Sequence, residues 1–190
     1  EVNSSMSSHV IELDNNINHT LLYEELCFVI NKFNLKDLNQ ISCTSIDGNN
    51  DWLCSIGKIA DLQHKERFYS VLNKGLENTY ISELVSKYSK YYRWRFMKID
   101  PFSTYSVHYD SHSPDQTNVR CHIPIKTNED AFMIFFGKDK LNKNPVLEHL
   151  EAGKSYEVNT SHWHSALNFG NHDRWHLIGV SYESRNYWPN

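Results

Sequence analysis

The stretch STYSVHYDSH, Ser103–His112, interleaves imidazole, carboxylate and imidazole with the strand-forming Tyr105, Val107 and Tyr109. On a β-strand, residues i and i+2 share a face, so His108 and Asp110 are expected to project together. An imidazole and a carboxylate so placed make two ligands of a facial 2-His-1-carboxylate site. That site leaves coordination positions open at a non-haem Fe(II) centre, whereas a structural zinc site closes all of them. An isolated H-x-D is a weak signal in a chain with 11 histidines. A third ligand is needed, and NTSHWHSALNFGNHDRWHLIG offers His162, His164, His172 and His176. His162 and His164 are themselves i and i+2, so periodicity does not choose between them.

Arg174 bears on the choice. An enzyme of this kind that uses 2-oxoglutarate must hold a dicarboxylate whose distal end wants a bidentate cation, and the planar fork of Arg matches a carboxylate. Arg174 lies ten residues after His164, and a turn through FGNHD would put the two on neighbouring strands at one barrel mouth. Taken alone, Arg174 reads equally as a surface salt bridge.

The elements that must position these residues form two textures. Before Tyr91 the chain reads as helical. A helix capped by Thr20 carries Leu22, Leu26, Val29, Ile30 and Phe33 on one stripe, with Glu24 and Glu25 near its start. Ile41–Trp52 reads as loop. A second helix is expected from Asp61 to Lys74, stopping at Gly75, and a third from Glu77 to Tyr88. From Tyr91 onward, short β-branched and aromatic runs alternate with turn signals. They predict strands near Tyr92–Ile99, Thr104–Asp110, Val119–Ile125, Ala131–Phe136, Val146–Leu150, Ser155–Val158, His162–Phe169 and Trp175–Tyr182. Many short strands in one segment point to a sandwich or jelly roll. The expected organisation is a helical extension, residues 1–90, packed on a β-core, residues 91–190, as one structural unit.

Bulk properties exclude several classes. With 190 residues and 39% hydrophobic content the chain affords a real core. The net charge of -4 and the lack of a basic run argue against nucleic acid as partner. Cys27, Cys43, Cys54 and Cys121 form no C-x-x-C pair, so they read as reduced thiols. No apolar run is long enough to span a bilayer and no signal peptide is visible, so a cytoplasmic location is expected. No Ser/His/Asp or Cys/His nucleophile arrangement and no phosphate loop stand out.

The stretches KIDPFSTYSVHYD, VRCHIPIKTNEDAFM and HLEAGKSYEVNTSHWHSALNFGNHDRWHLIG, in this order and spacing, resemble the aspartyl/asparaginyl β-hydroxylase-like Fe(II)/2-oxoglutarate dioxygenases, which include bacterial proline hydroxylases. The resemblance covers roughly Tyr91–Glu183. It implies a double-stranded β-helix (jelly roll, cupin-like) with an N-terminal helical cap. His108, Asp110 and His164 match the family's iron ligands, which are also its catalytic centre. Arg174 matches the Arg that binds 2-oxoglutarate, and Arg120 and His122 match the R-x-H pair in the cosubstrate pocket. His162, His172 and His176 match no ligand position, and His112 reads as either a mouth or a solvated residue. Tyr109, Trp163 and Trp175 read as core or rim. Arg93 and Arg95, alternating with Tyr92, Trp94 and Phe96, read as salt-bridged on the sheet, with contact to an acidic substrate group as the other possibility. The carboxylate ligand Asp110 argues against a halogenase, which must vacate that coordination position.

The implied function is Fe(II)-, 2-oxoglutarate- and O2-dependent hydroxylation of an amino acid, free or in a peptide, with succinate and CO2 as coproducts. The partner is then a small molecule or peptide. Two other readings of the same residues are a cupin-like metal protein that does not use 2-oxoglutarate and a non-catalytic binding module. The N-terminal half matches no helical pattern of the family, and the substrate stays open with it.

Overall fold

The computed structural model describes residues 9–59, 66–110, 118–137 and 144–182. His112 and the first part of the helix expected from Asp61 lie outside the described residues. Twelve strands are described. β1 (Val10–Asp14), β2 (Gln40–Ser42), β3 (Thr44–Ser45) and β4 (Val71–Leu72) belong to the first half of the chain. β5 (Tyr92–Ile99), β6 (Ser103–Thr104), β7 (Val119–Lys126), β8 (Ala131–Gly137), β9 (Val146–Glu148), β10 (Ser155–Asn159), β11 (Trp163–Asn168) and β12 (Arg174–Ser181) follow. Helices among the described residues include α1 (His19–Lys32) and α2 (Tyr80–Lys87), with a short 3-10 turn at Lys74–Leu76, and residues 66–68 are also helical.

The strands form a six-stranded sheet in the order β1-β10-β7-β12-β5-β2, a four-stranded sheet β6-β11-β8-β9, and the small pair β3-β4. Every pairing is antiparallel. Two facing antiparallel sheets with non-sequential neighbours make the jelly roll that the strand count implied.

Alternation along the central strands sorts the chemistry from the core. Trp94 and Phe96 of β5, Cys121, Ile123 and Ile125 of β7, and Trp175 and Leu177 of β12 are buried in one cluster with Leu22, Leu26 and Val29 of α1. Residues one position off point the other way, into the space between the sheets. These are Arg93, Arg95 and Met97 of β5, Arg120 and His122 of β7, and Arg174 and Ile178 of β12, all lining cavities there. The large sheet is therefore covered on both faces, by helix on one and by the site on the other. This is why all eight residues of β12 are buried. A second apolar cluster, Val10, Met133, Phe135, Leu150, Tyr156 and Val158, closes the other end of the interior. β5 and β12 approach so closely that a Cβ on Gly179 would lie 2.7 Å from the Trp94 ring.

The structure corrects four expectations. The first helix is capped by Asn18, whose Oδ1 accepts from Leu21 N, and not by Thr20. Both are good caps, but the chain is already pinned just upstream by Ile17 N donating to Gly153 O. Ile41–Ser42 and Thr44–Ser45, within the expected loop, belong to strands, because β2 pairs with β5 and β3 with β4. Part of the expected second helix is instead β4 and the 3-10 turn, a long-range pairing overriding local propensity. The third helix is shorter than expected, capped by Thr79, whose side chain accepts from Ser82 N. Glu25 reinforces that start, its carboxylate accepting from Tyr80 N and Ile81 N at the positive end of the helix.

Candidate metal centre and its pockets

His108, Asp110 and His164 come together as the sequence suggested, with one ligand atom from each lying within 4.8 Å of the others. The predicted strand through Thr104–Asp110 is not continuous. Only Ser103 and Thr104 belong to a ladder with β11, and His108 rejoins it through an isolated bridge to His164. There the two residues exchange backbone hydrogen bonds, at 2.9 Å from His108 N and 2.8 Å from His164 N. Asp110 N donates to Thr160 O at 2.9 Å. Two ligands distant in sequence are thus locked side by side, their rings 4.5 Å apart.

Each imidazole is fixed by its Nδ1. His108 Nδ1 donates to Ser106 O at 2.7 Å and His164 Nδ1 donates to His162 O at 2.8 Å. In that tautomer both Nε2 atoms carry lone pairs, at 3.5 Å and 4.0 Å from the Asp110 carboxylate. Burial lowers His164 below the ordinary imidazole range, which keeps it a neutral ligand. Burial would raise Asp110, but the Arg120 guanidinium, His164 and His108 outweigh it and hold the carboxyl at about 2. Arg120 Nε stands 2.5 Å from Asp110 Oδ2. Two imidazole Nε2 atoms and one carboxylate within reach of a common point suit a divalent ion of intermediate softness.

A small inner pocket of about 60 Å³ adjoins the cluster. Its polar lining includes His122 and Arg174, and Met97, Met133, Ala166 and Ile178 supply apolar walls. Arg174 is 3% exposed, and among the described residues no carboxylate pairs with it. Burial pushes its guanidinium down to about 9, with Tyr105 opposing. His122 and His176 share a hydrogen bond between Nδ1 atoms at 3.1 Å, and burial together with Arg174 drives both well below the ordinary imidazole value. With both histidines neutral, the pocket's cations among the described residues are Arg120, paired with Asp110, and Arg174, which has no carboxylate. His122 Nε2 is buried without a partner among the described residues.

The inner pocket opens onto an outer cavity of about 610 Å³, and Met97, Tyr105, His108, Asp110 and Arg120 border both. Of the other histidines, His162 sits beside His9 behind the cluster, their Nδ1 atoms 3.2 Å apart, and His172 lends its carbonyl to Asn168 Nδ2. His176 is fully buried on the strand after Arg174. Tyr109 and Trp163 pack edge to face at 4.6 Å. Tyr105 and Met97, which border both spaces, lie in predicted strands and are not among the site residues that the sequence suggests. Their alternation with Val107 and with Arg95 was the available signal.

The fold and the residue set describe a cupin-like jelly roll with a His-Asp-His cluster between its sheets and a buried cation beside it. The chain belongs to the aspartyl/asparaginyl β-hydroxylase family, whose model matches residues 63–181. No curated protein matches the chain by sequence. Among solved structures, a Pseudomonas putida prolyl-4-hydroxylase is similar at 11% identity and a TM-score of 0.50, over 93% of this chain and 94% of that one. A Burkholderia pseudomallei oxidoreductase of the 2OG-Fe(II) oxygenase family is similar at 12% identity and a TM-score of 0.50, over 93% and 86%. Drosophila melanogaster CENP-C bound to CAL1 overlaps at 11% identity and a TM-score of 0.37, with this chain covering 60% of its length. Among the described residues, no helix is long and apolar enough to cross a membrane.

Proposed function

We propose that the chain is a dioxygenase dependent on Fe(II) and 2-oxoglutarate that hydroxylates an unactivated C–H bond of an amino acid, free or in a peptide. The substrate type is aspartyl/asparaginyl or prolyl, and succinate and CO2 are coproducts. The observation that carries the reading is Arg174, a guanidinium held almost out of water with no carboxylate of the described residues to neutralise it. It lies in a pocket that also borders a cluster able to bind metal. Such a group is costly to bury unless a ligand completes it.

His108, Asp110 and His164 are assigned as the metal ligands. Arg174 is the clamp for the distal carboxylate of 2-oxoglutarate, and His122 and Arg120 border the same pocket. With its cosubstrate, the metal would supply the oxidising power that no side chain has. The chain's own residues do the rest. Hydrogen bonds from the imidazole Nδ1 atoms to backbone carbonyls aim both Nε2 lone pairs at the metal. Arg120 keeps Asp110 ionised and turned inward. Met97, Met133, Ala166 and Ile178 give the inner pocket apolar walls, and Tyr105 stands at its boundary with the outer cavity, where the substrate enters.

The test is an anaerobic titration with Fe(II) and then 2-oxoglutarate, followed by visible absorbance. A charge-transfer band that needs both components is expected. Bound iron without such a band would overturn the use of 2-oxoglutarate.

A further inference from the structure

β5 presents Arg93 and Arg95 on the face that lines the outer cavity, and the two differ in their partners. Arg93 is satisfied on every side. Its Nη1 pairs with Glu66, its Nη2 donates to Ser55 O at 2.8 Å and Gly57 O at 2.7 Å, and its Nε donates to Ser55 O at 3.1 Å. A left-handed backbone, φ 51°, turns Arg93 toward those carbonyls where the β5–β12 register shifts. Arg95 is 2% exposed and has one partner among the described residues, the neutral Gln40 Oε1 at 3.0 Å from Nη1. Its Nε is buried with no hydrogen-bond partner.

Neither carboxylate that lines the cavity among the described residues is available to it. Glu66 is held by Arg93 and by the Tyr182 hydroxyl, and Asp110 by Arg120 and the cluster. Among the described residues, Lys58, Arg93, Arg95 and Arg120 line this cavity against two acids, Glu66 and Asp110. A desolvated guanidinium with one neutral partner asks for an anion, and its fork selects a planar one.

We propose that Arg95 forms a carboxylate subsite for the substrate in the outer cavity, so that the substrate is an anion anchored by its carboxylate while its reacting carbon reaches the metal centre. This rests on the oxygenase reading and gives it a substrate class. Gln40 is a positioning residue. Its Oε1 also accepts from Gly57 N at 2.9 Å, and its backbone is paired with β5 opposite Met97, so it braces Arg95 from the side. The carboxylate is either the α-carboxylate of a free amino acid or the side chain of an acidic residue in a peptide.

The experiment is anaerobic calorimetric titration of the full chain loaded with Fe(II) and 2-oxoglutarate. The probes are L-proline, L-aspartate, L-prolinamide, and an aspartyl peptide blocked at both termini with its asparaginyl counterpart. Carboxylate probes should bind and their amide counterparts should not. Arg95→Met should raise the Kd of the binding probe by on the order of tenfold or more. Arg95→Lys, which keeps the charge and loses the fork, should raise it less. Both variants should keep the charge-transfer band and melt close to wild type, since among the described residues Arg95 loses one hydrogen bond to a neutral partner and no ion pair. Binding of free amino acids alone assigns the subsite to an α-carboxylate, and binding of the acidic peptide assigns it to a side chain. The proposal is overturned by equal binding of carboxylate and amide, by no carboxylate probe binding wild type, or by an Arg95→Met variant whose Kd is unchanged. If wild type forms no band but still binds carboxylates through Arg95, the oxygenase reading fails and the subsite stands.

Discussion

The inner pocket and the outer cavity share a wall, yet they are built by different means. The inner pocket is framed by strand register. Arg174, His122 and His164 lie on long ladders of the two sheets, and each points inward because it falls on the right phase of a period-two pattern. The outer cavity is framed by register on one side and by chain from the first half of the sequence on the other, including Gln40, Gly57, Lys58 and Glu66. A pocket set by register is dictated by the fold. A cavity walled partly by loop segments can be reshaped there without disturbing the sheets, which suits it to the ligand that distinguishes one enzyme from another.

Breaking the shared wall should have the largest effect. His108→Ala or Asp110→Ala is expected to abolish turnover, read as succinate release, and normal activity in either would remove the assigned metal site. Next comes the inner pocket alone. Arg174→Met should weaken 2-oxoglutarate by on the order of a hundredfold, the scale for losing one partner of a buried charge pair, while Fe(II) affinity stays near wild type. An unchanged cosubstrate affinity would strip Arg174 of its role.

The two outer-cavity arginines give a smaller and sharper contrast, in stability. Arg93→Met leaves Glu66 buried without its cation and should cost about 3–5 kcal/mol in a denaturant titration, whereas Arg95→Met should cost little. Equal losses from the two would erase the distinction between a structural and a receptive guanidinium. The smallest effect concerns pH. His122 and His176 have folded-state values lowered from 6.5, so their contribution to stability is full above that value and is lost as pH falls below it. The metal-free protein should therefore weaken on acidification from about pH 6.5, each histidine adding a slope of at most ~1.4 kcal/mol per pH unit. His176→Asn should flatten that slope, and an unaltered slope would show that other groups carry it.

The same contrast explains what the sequence disclosed. That His108 and Asp110 share a face was legible from alternation, whereas the choice of His164 over His162 came only from the family resemblance, since both lie on the same phase. The strands of the second half were legible from alternation too. The path of the ligand segment was not, since after Thr104 it leaves the ladder and touches it again only at His108. β4 was hidden because Val71–Leu72 becomes a strand only by meeting Thr44–Ser45, a contact that no local window contains. The difference between Arg93 and Arg95 was equally hidden. Both alternate correctly with the core residues of β5, and only the arrival of Glu66 from a distant segment separates the paired from the unpaired.

The bridge between His108 and His164 has a consequence for how such a centre would be filled. The entropy of bringing two distant segments together is spent when the backbone hydrogen bonds form, during folding, rather than when an ion arrives. Ion capture then asks for little reorganisation of the chain. Loaded and empty molecules should share one backbone, so that metal content follows the supply of free ions and the selectivity of three side chains, not a folding decision. A chain refolded with zinc or cobalt in place of iron would, on this account, be structurally complete and chemically silent.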